Sequence, residues 1–185
     1  MPDSHFVLPE SKLISINLRN PYIAGFFAWL VPGLGHYYQG RYHKALLFFL
    51  CIVPIFIAGC ALASSPEVGT ARNVYWSWRT GEMRFWWLAQ APLGIVAIPS
   101  GMQAWQVNSG QVPMFGKFMA PPMRDRNDRW GVAPVFDEIR QKLPYFEFGT
   151  YLTVIAGLMN LLVIFDAIDG PFAGKREEPE QDIFA

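Results

Sequence analysis

The chain has 185 residues, 52% of them hydrophobic and only 16% charged, with 15 basic and 15 acidic side chains. A soluble domain usually carries about 25% charge, so this chain is short of polar surface, and one domain is the most its length requires. Balanced charge speaks against nucleic acid, whose phosphates call for a basic face.

Residues 1–20 form a polar N-terminal segment carrying Lys12 and Arg19 among its charges. Four uncharged runs follow: between Arg19 and Arg41, Lys44 and Glu67, Arg84 and Lys117, and Glu147 and Asp166. A bilayer core about 30 Å thick needs about 20 residues of helix, and lipid cannot satisfy a bare backbone. The runs therefore predict transmembrane helices near 21–38, 44–64, 84–106 and 149–169. Aromatic residues mark the ends as interfaces: Tyr37, Tyr38 and Tyr42 close the first run, and Trp76, Trp78, Trp86 and Trp87 open the third. The first run ends in Gly33-Leu34-Gly35-His36-Tyr37-Tyr38, not in a small-residue cleavage site, and is expected to stay as a helix.

Between the helices, residues 65–83 read as a loop lying along the membrane surface. Residues 107–148 read as a basic loop, with the alternating run Arg124-Asp125-Arg126-Asn127-Asp128-Arg129. Within it, Phe136, Ile139, Leu143 and Phe146 recur at helical spacing opposite a charged face. That predicts an interfacial amphipathic helix over 134–146, ended by Pro144. These four apolar residues, with Arg124, Arg126 and Arg129, are the candidate interface toward lipid headgroups or a partner subunit. Residues 170–185 form a polar, acidic tail.

The expected architecture is all-α: an integral membrane protein with about four transmembrane helices plus the interfacial helix. Four spans put both termini and the 65–83 loop on one side, with seven Lys and Arg against eight on the other. That count leaves the orientation open.

Polar groups inside a membrane are expensive, so each is a candidate site. Asn160 lies mid-way along the fourth run and predicts a hydrogen bond to another helix. Gln90, Ser100 and Gln103 lie in the third run. Asp166 ends the fourth span, and the four-span topology suggests pairing with Arg19 or Arg84. His36 and His43 flank the end of the first run, but no nearby Cys or carboxylate completes a metal set. Cys51 and Cys60 are nine residues apart, on opposite helix faces, and read as packing residues. No zinc-protease, phosphate-loop or serine-elbow pattern occurs. No catalytic residue, metal or cofactor is therefore assigned.

The stretch Asn20-Pro21-Tyr22-Ile23-Ala24 through Trp29-Leu30-Val31-Pro32-Gly33-Leu34-Gly35-His36-Tyr37-Tyr38-Gln39-Gly40-Arg41 resembles the bacterial two-transmembrane-helix (TM-two) domain. The hallmark is an apolar helix ending in Pro-Gly-x-Gly, then an aromatic pair, Gly and a basic residue before a second helix. The resemblance covers residues 20–64. Animal members carry an Asp-Arg-Phe turn where this chain has Arg41-Tyr42-His43, so receptor-like signalling is not carried over. Phe118-Met119-Ala120-Pro121-Pro122, Phe148-Gly149-Thr150-Tyr151, Ala156 through Leu162 and Phe165-Asp166-Ala167 resemble a longer bacterial membrane protein family of unknown function. That resemblance implies no activity, cofactor or catalytic residue.

The functional expectation is a non-enzymatic, multi-pass protein of the bacterial inner membrane, a scaffold or subunit of a membrane protein assembly. Its expected partners are lipid and either another membrane protein or further copies of itself. The alternative is an oligomeric transporter or channel subunit, because Pro32-Gly33 and Pro99 could interrupt the first and third helices.

Overall fold

The computed structural model describes residues 20–78, 83–122, 139 and 141–169. Regular structure within them is helical, with isolated antiparallel bridges joining Ser65 to Gly69 and Ser77 to Arg84. The helices are α1 (Pro21–Leu30), α2 (Leu34–Tyr38), α3 (Tyr42–Leu62), α4 (Trp87–Gln90), α5 (Ile98–Asn108) and α6 (Phe146–Asp169). A 3-10 turn, Ala91–Val96, joins α4 to α5.

Two helices, α3 and α6, are long and apolar enough to cross a membrane. At 1.5 Å per residue they are about 30–36 Å long. They run antiparallel, with Lys44 beside Asp166 at one end and Gly59 against Gly149 at the other. A Cβ on Gly59 would lie 2.7 Å from the Gly149 carbonyl oxygen, and one on Gly149 2.5 Å from that of Gly59. Glycine at both positions is what lets the two backbones touch.

The first and third runs do not form single long helices. Asn20 caps α1, its side chain accepting from the Tyr22 and Ile23 amides. Pro32 then ends the helix: it has no N–H to donate, and it forces Val31 into extended geometry (φ −141°, ψ 130°). Gly33, at φ +84°, turns the chain back into α2. Gly35 of α2 lies against the Ala24 carbonyl of α1, so the two helices form a hairpin. The expected 21–38 span enters the bundle and returns to the end it came from.

The expected 84–106 span does the same from the opposite end. Gly94 (φ 62°, ψ −118°) breaks the helical path, and α5 runs back. The Trp87 indole donates to the Ala97 carbonyl (3.3 Å) and the Ser100 hydroxyl (2.6 Å), which binds the two arms.

The connecting segments are also packed more deeply than expected. Within the presumed surface loop, Asn73, Val74 and Tyr75 are buried. Ile139, Leu143 and Phe146, expected to face lipid or a partner, pack instead with Ala63 and Tyr75 inside the chain. The reason is local: the 63–75 segment folds over the start of α6 and covers that apolar face. Residues 134–138 and 140 of the expected amphipathic helix lie outside the described residues, as do Phe136, Arg124, Arg126 and Arg129.

Outward, α3 and α6 are apolar. Leu46, Leu47, Leu50, Ile57, Leu158, Leu162 and Phe165 are all exposed. Only 22% of the most apolar stretch of α3, and 39% of that of α6, is buried.

Candidate functional site

One face of α6 carries the polar groups that organise the bundle. Thr150, Thr153, Gly157 and Asn160 follow the i, i+3, i+7, i+10 spacing of a single helix face, and the three polar side chains among them are fully buried.

At the centre, Asn160 Nδ2 donates to the Ala28 carbonyl (3.1 Å) and the Pro92 carbonyl (2.7 Å). The first of these follows from the sequence of α1. The Ala28 carbonyl would ordinarily accept from residue 32, but Pro32 has no N–H, and Asn160 supplies the missing donor. The two hairpins, entering from opposite ends, thus meet at one side chain. The Trp29 indole adds a bond to the Ala91 carbonyl at 3.2 Å. Gly94 lies against the Trp29 carbonyl, and Gly157 against that of Ala89. At both contacts a Cβ would overlap backbone, so the junction is closed by bare backbone on both sides.

Toward the start of α6 lies a second cluster. Gln90 Nε2 donates to Thr153 Oγ1 (2.7 Å), and Asn73 Nδ2 reaches the same oxygen at 3.3 Å. Arg84 donates to Thr150 Oγ1 at 2.8 Å. Its guanidinium lies 4.9 Å from the ring centroids of both Tyr75 and Phe146, which makes an aromatic sandwich for the charge. These bonds tie the 73–90 segment to α6.

At the far end, Asp166 gathers the turn between α2 and α3. Its Oδ2 lies 2.6 Å from His36 Nε2 and 3.4 Å from both Arg41 and Lys44. The His36 ring is fully buried and stands edge-on to Phe48. Gln39 adds a bond to the Ala167 carbonyl at 2.7 Å.

The expected pairing of Asp166 with Arg84 is therefore corrected, while the alternative with Arg19 is not tested. Arg84 sits at the opposite end of α6, and Arg19 lies outside the described residues. The reason is the hairpin: because α1 and α2 double back, the 39–44 turn returns to the Asp166 end and brings His36, Arg41 and Lys44 with it. His43 is exposed and does not join His36. Among the described residues no group of three or more His, Cys, Asp or Glu could hold a metal. Cys51 and Cys60 are free thiols.

Sequence reasoning missed Asn73, Thr150 and Thr153. The signal for the threonines was available in their helical spacing from Asn160, whereas Asn73 sits in irregular chain and carries no such mark.

No curated protein and no solved structure matches the chain. The family match treats the chain as one long unit, and a separate TM-two domain over 20–64 is not shown. With residues 23–180 matched, from α1 through α6 and beyond, the chain belongs to DUF6677, a family of unknown function.

Proposed function

We propose that the protein is a non-enzymatic, multi-pass component of the bacterial inner membrane that serves as a structural subunit of a membrane protein assembly. In this reading α3 and α6 cross the bilayer, and the two hairpins enter it halfway from opposite faces. Irregular backbone at membrane depth is tolerated where protein buries it, and here α6 does so.

The observation that carries the reading is how Asn160 is used. Its amide is committed to two backbone carbonyls of the chain itself. While the side-chain carbonyl oxygens of Asn160, Gln90 and Asn73 are buried without a partner among the described residues, the amide N–H groups of Gln90 and Asn73 are likewise spent on Thr153. Such groups hold the bundle together rather than present themselves to a passing solute. The outward apolar faces of α3 and α6 suit lipid or a neighbouring helix, since an exposed apolar surface of that extent marks an interaction face. With the hairpins placed this way, the described Lys and Arg divide into Arg41 and Lys44 at one end and Arg72, Arg84, Lys117 and Lys142 at the other. The positive-inside tendency then favours the second end as cytoplasmic.

The test is crosslinking in native membranes followed by mild extraction. The expected result is co-migration with a partner membrane protein or a further copy. Recovery of a lone, uncrosslinked monomer counts against the proposal.

A second reading, a transporter or channel subunit, draws on the two interrupted helices that meet at mid-depth, a common setting for transport sites. It predicts flux through reconstituted vesicles that is lost in Asn160→Leu.

A further inference from the structure

A cavity of about 330 Å³ opens at the end of the bundle where α3 finishes and α6 begins. It lies apart from the Asn160 junction and from the Asp166 cluster. Three cationic side chains line it: Arg72, Lys117 and Lys142. The acidic residue in its wall is Glu67, whose carboxylate is 76% exposed and 3.9 Å from Lys142 Nζ. The remaining lining is largely apolar, including Val68, Val112 and Ile139.

Arg72 sets the character of the cavity. It is only 7% exposed, an unusual place for a guanidinium. One bond is formed, from Nη1 to the Ala120 carbonyl at 2.5 Å. Its Nε, also buried, has no hydrogen-bond partner. Burial lowers the guanidinium's pKa from its ordinary value, yet arginine starts high enough to stay charged near neutrality. A buried charge with donors in reserve is costly unless an anion meets it. Lys117, an exposed residue beside Gly69, also lines the cavity, its Nζ donating to the Glu67 carbonyl at 2.7 Å.

We propose that this cavity binds a phosphate-bearing anion, with Arg72 and Lys117 as the principal donors and Lys142 at the rim. Planar guanidinium donors match phosphate oxygens, and a lysine adds a point charge. Small-ligand pockets run to roughly 300–1,000 Å³, so this one, at the lower end, suits a headgroup-sized anion with an apolar portion against Val112 and Ile139. If the chain lies in the bilayer as proposed, the cavity sits at headgroup depth, but the anion site itself does not depend on that placement.

The purified protein in neutral detergent is to be titrated with inorganic phosphate by calorimetry. In parallel it is examined by native mass spectrometry after exposure to phosphatidylglycerol or phosphatidylcholine. Two variants are compared, Arg72→Gln and Lys117→Gln; the second removes an exposed cation and spares the buried Arg72–Ala120 bond. Selective retention of phosphatidylglycerol, weakened roughly ten-fold or more by each variant as expected for loss of a charge-assisted bond, supports the proposal with a lipid as the source. Phosphate binding weakened to the same degree, without lipid selectivity, supports it with a soluble anion as the source. Absence of both, or binding that neither variant changes, overturns it.

Discussion

Gly157→Ala is expected to lower the thermal midpoint of the detergent-solubilised protein by roughly 6–12 °C, equivalent to about 3 kcal/mol for a chain of this size. A Cβ at this position would overlap the carbonyl oxygen of Ala89 and crowd the Cα of Gln90. Both obstacles are backbone or directly attached to it, so no flexible side chain can move aside. Overpacking of a close-packed interior costs about 1–3 kcal/mol, occasionally more, and the rigid obstacle places this substitution at the upper end. Moving α4 away from α6 to make room would lengthen the bonds from Gln90 to Thr153 and from Asn160 to Pro92. Gly110→Asn serves as the control. Gly110 has φ +78° and open space around it, and asparagine tolerates that left-handed conformation. Its midpoint is expected to stay close to that of the parent. Equal, small effects at both positions would show that the α4–α6 contact is looser than described.

Asn160→Leu is expected to cost about 2 kcal/mol. Leucine has a similar size, so packing changes little, but the Ala28 and Pro92 carbonyls both lose their donor. Leaving a buried acceptor unsatisfied costs about 1–3 kcal/mol, while single interhelical bonds in membrane bundles measure roughly 0.6–2 kcal/mol. Two carbonyls hang on this amide, and the Ala28 oxygen has already lost its helical partner to Pro32. The measurement is the unfolding midpoint together with protease accessibility near Trp29 and Ala91, where loosened hairpin tips would show first. An unchanged midpoint with unchanged accessibility would mean that the hairpins are held by other contacts.

The long helices were legible because charge and length report them directly. Residues 44–64 became Tyr42–Leu62, and 149–169 became Phe146–Asp169. The hairpins were not, because a run without charge looks the same whether it crosses a bilayer or turns round inside it. The distinguishing marks were small: Pro32 followed by Gly33 in the first run, and Pro92 followed by Gly94 in the third. The Pro-Gly pair suggests an interruption of the helix, whereas a positive φ at Gly33 makes it a reversal. The first reversal moves the 39–44 turn and Arg84 to the ends opposite those expected, and the second, at Gly94, restores the order for the chain that follows. That is why Asp166 meets His36, Arg41 and Lys44 and not Arg84. The burial of Ile139 and Leu143 escaped for a different reason. Their helical spacing identifies an apolar face, but only the fold shows that residues 63–75 cover it.

In the proposed topology, two crossings and two half-way hairpins put Asn20 and the turn ahead of α3 on one side of the membrane. Single cysteines introduced as Asn20→Cys, His43→Cys and Ser109→Cys, in a background lacking Cys51 and Cys60, allow a direct reading with a membrane-impermeant maleimide. Labelling at 20 and 43 from one side, and at 109 from the other, is the predicted pattern. Labelling of 43 and 109 from the same side, with 20 opposite, would restore four full spans and contradict the hairpins.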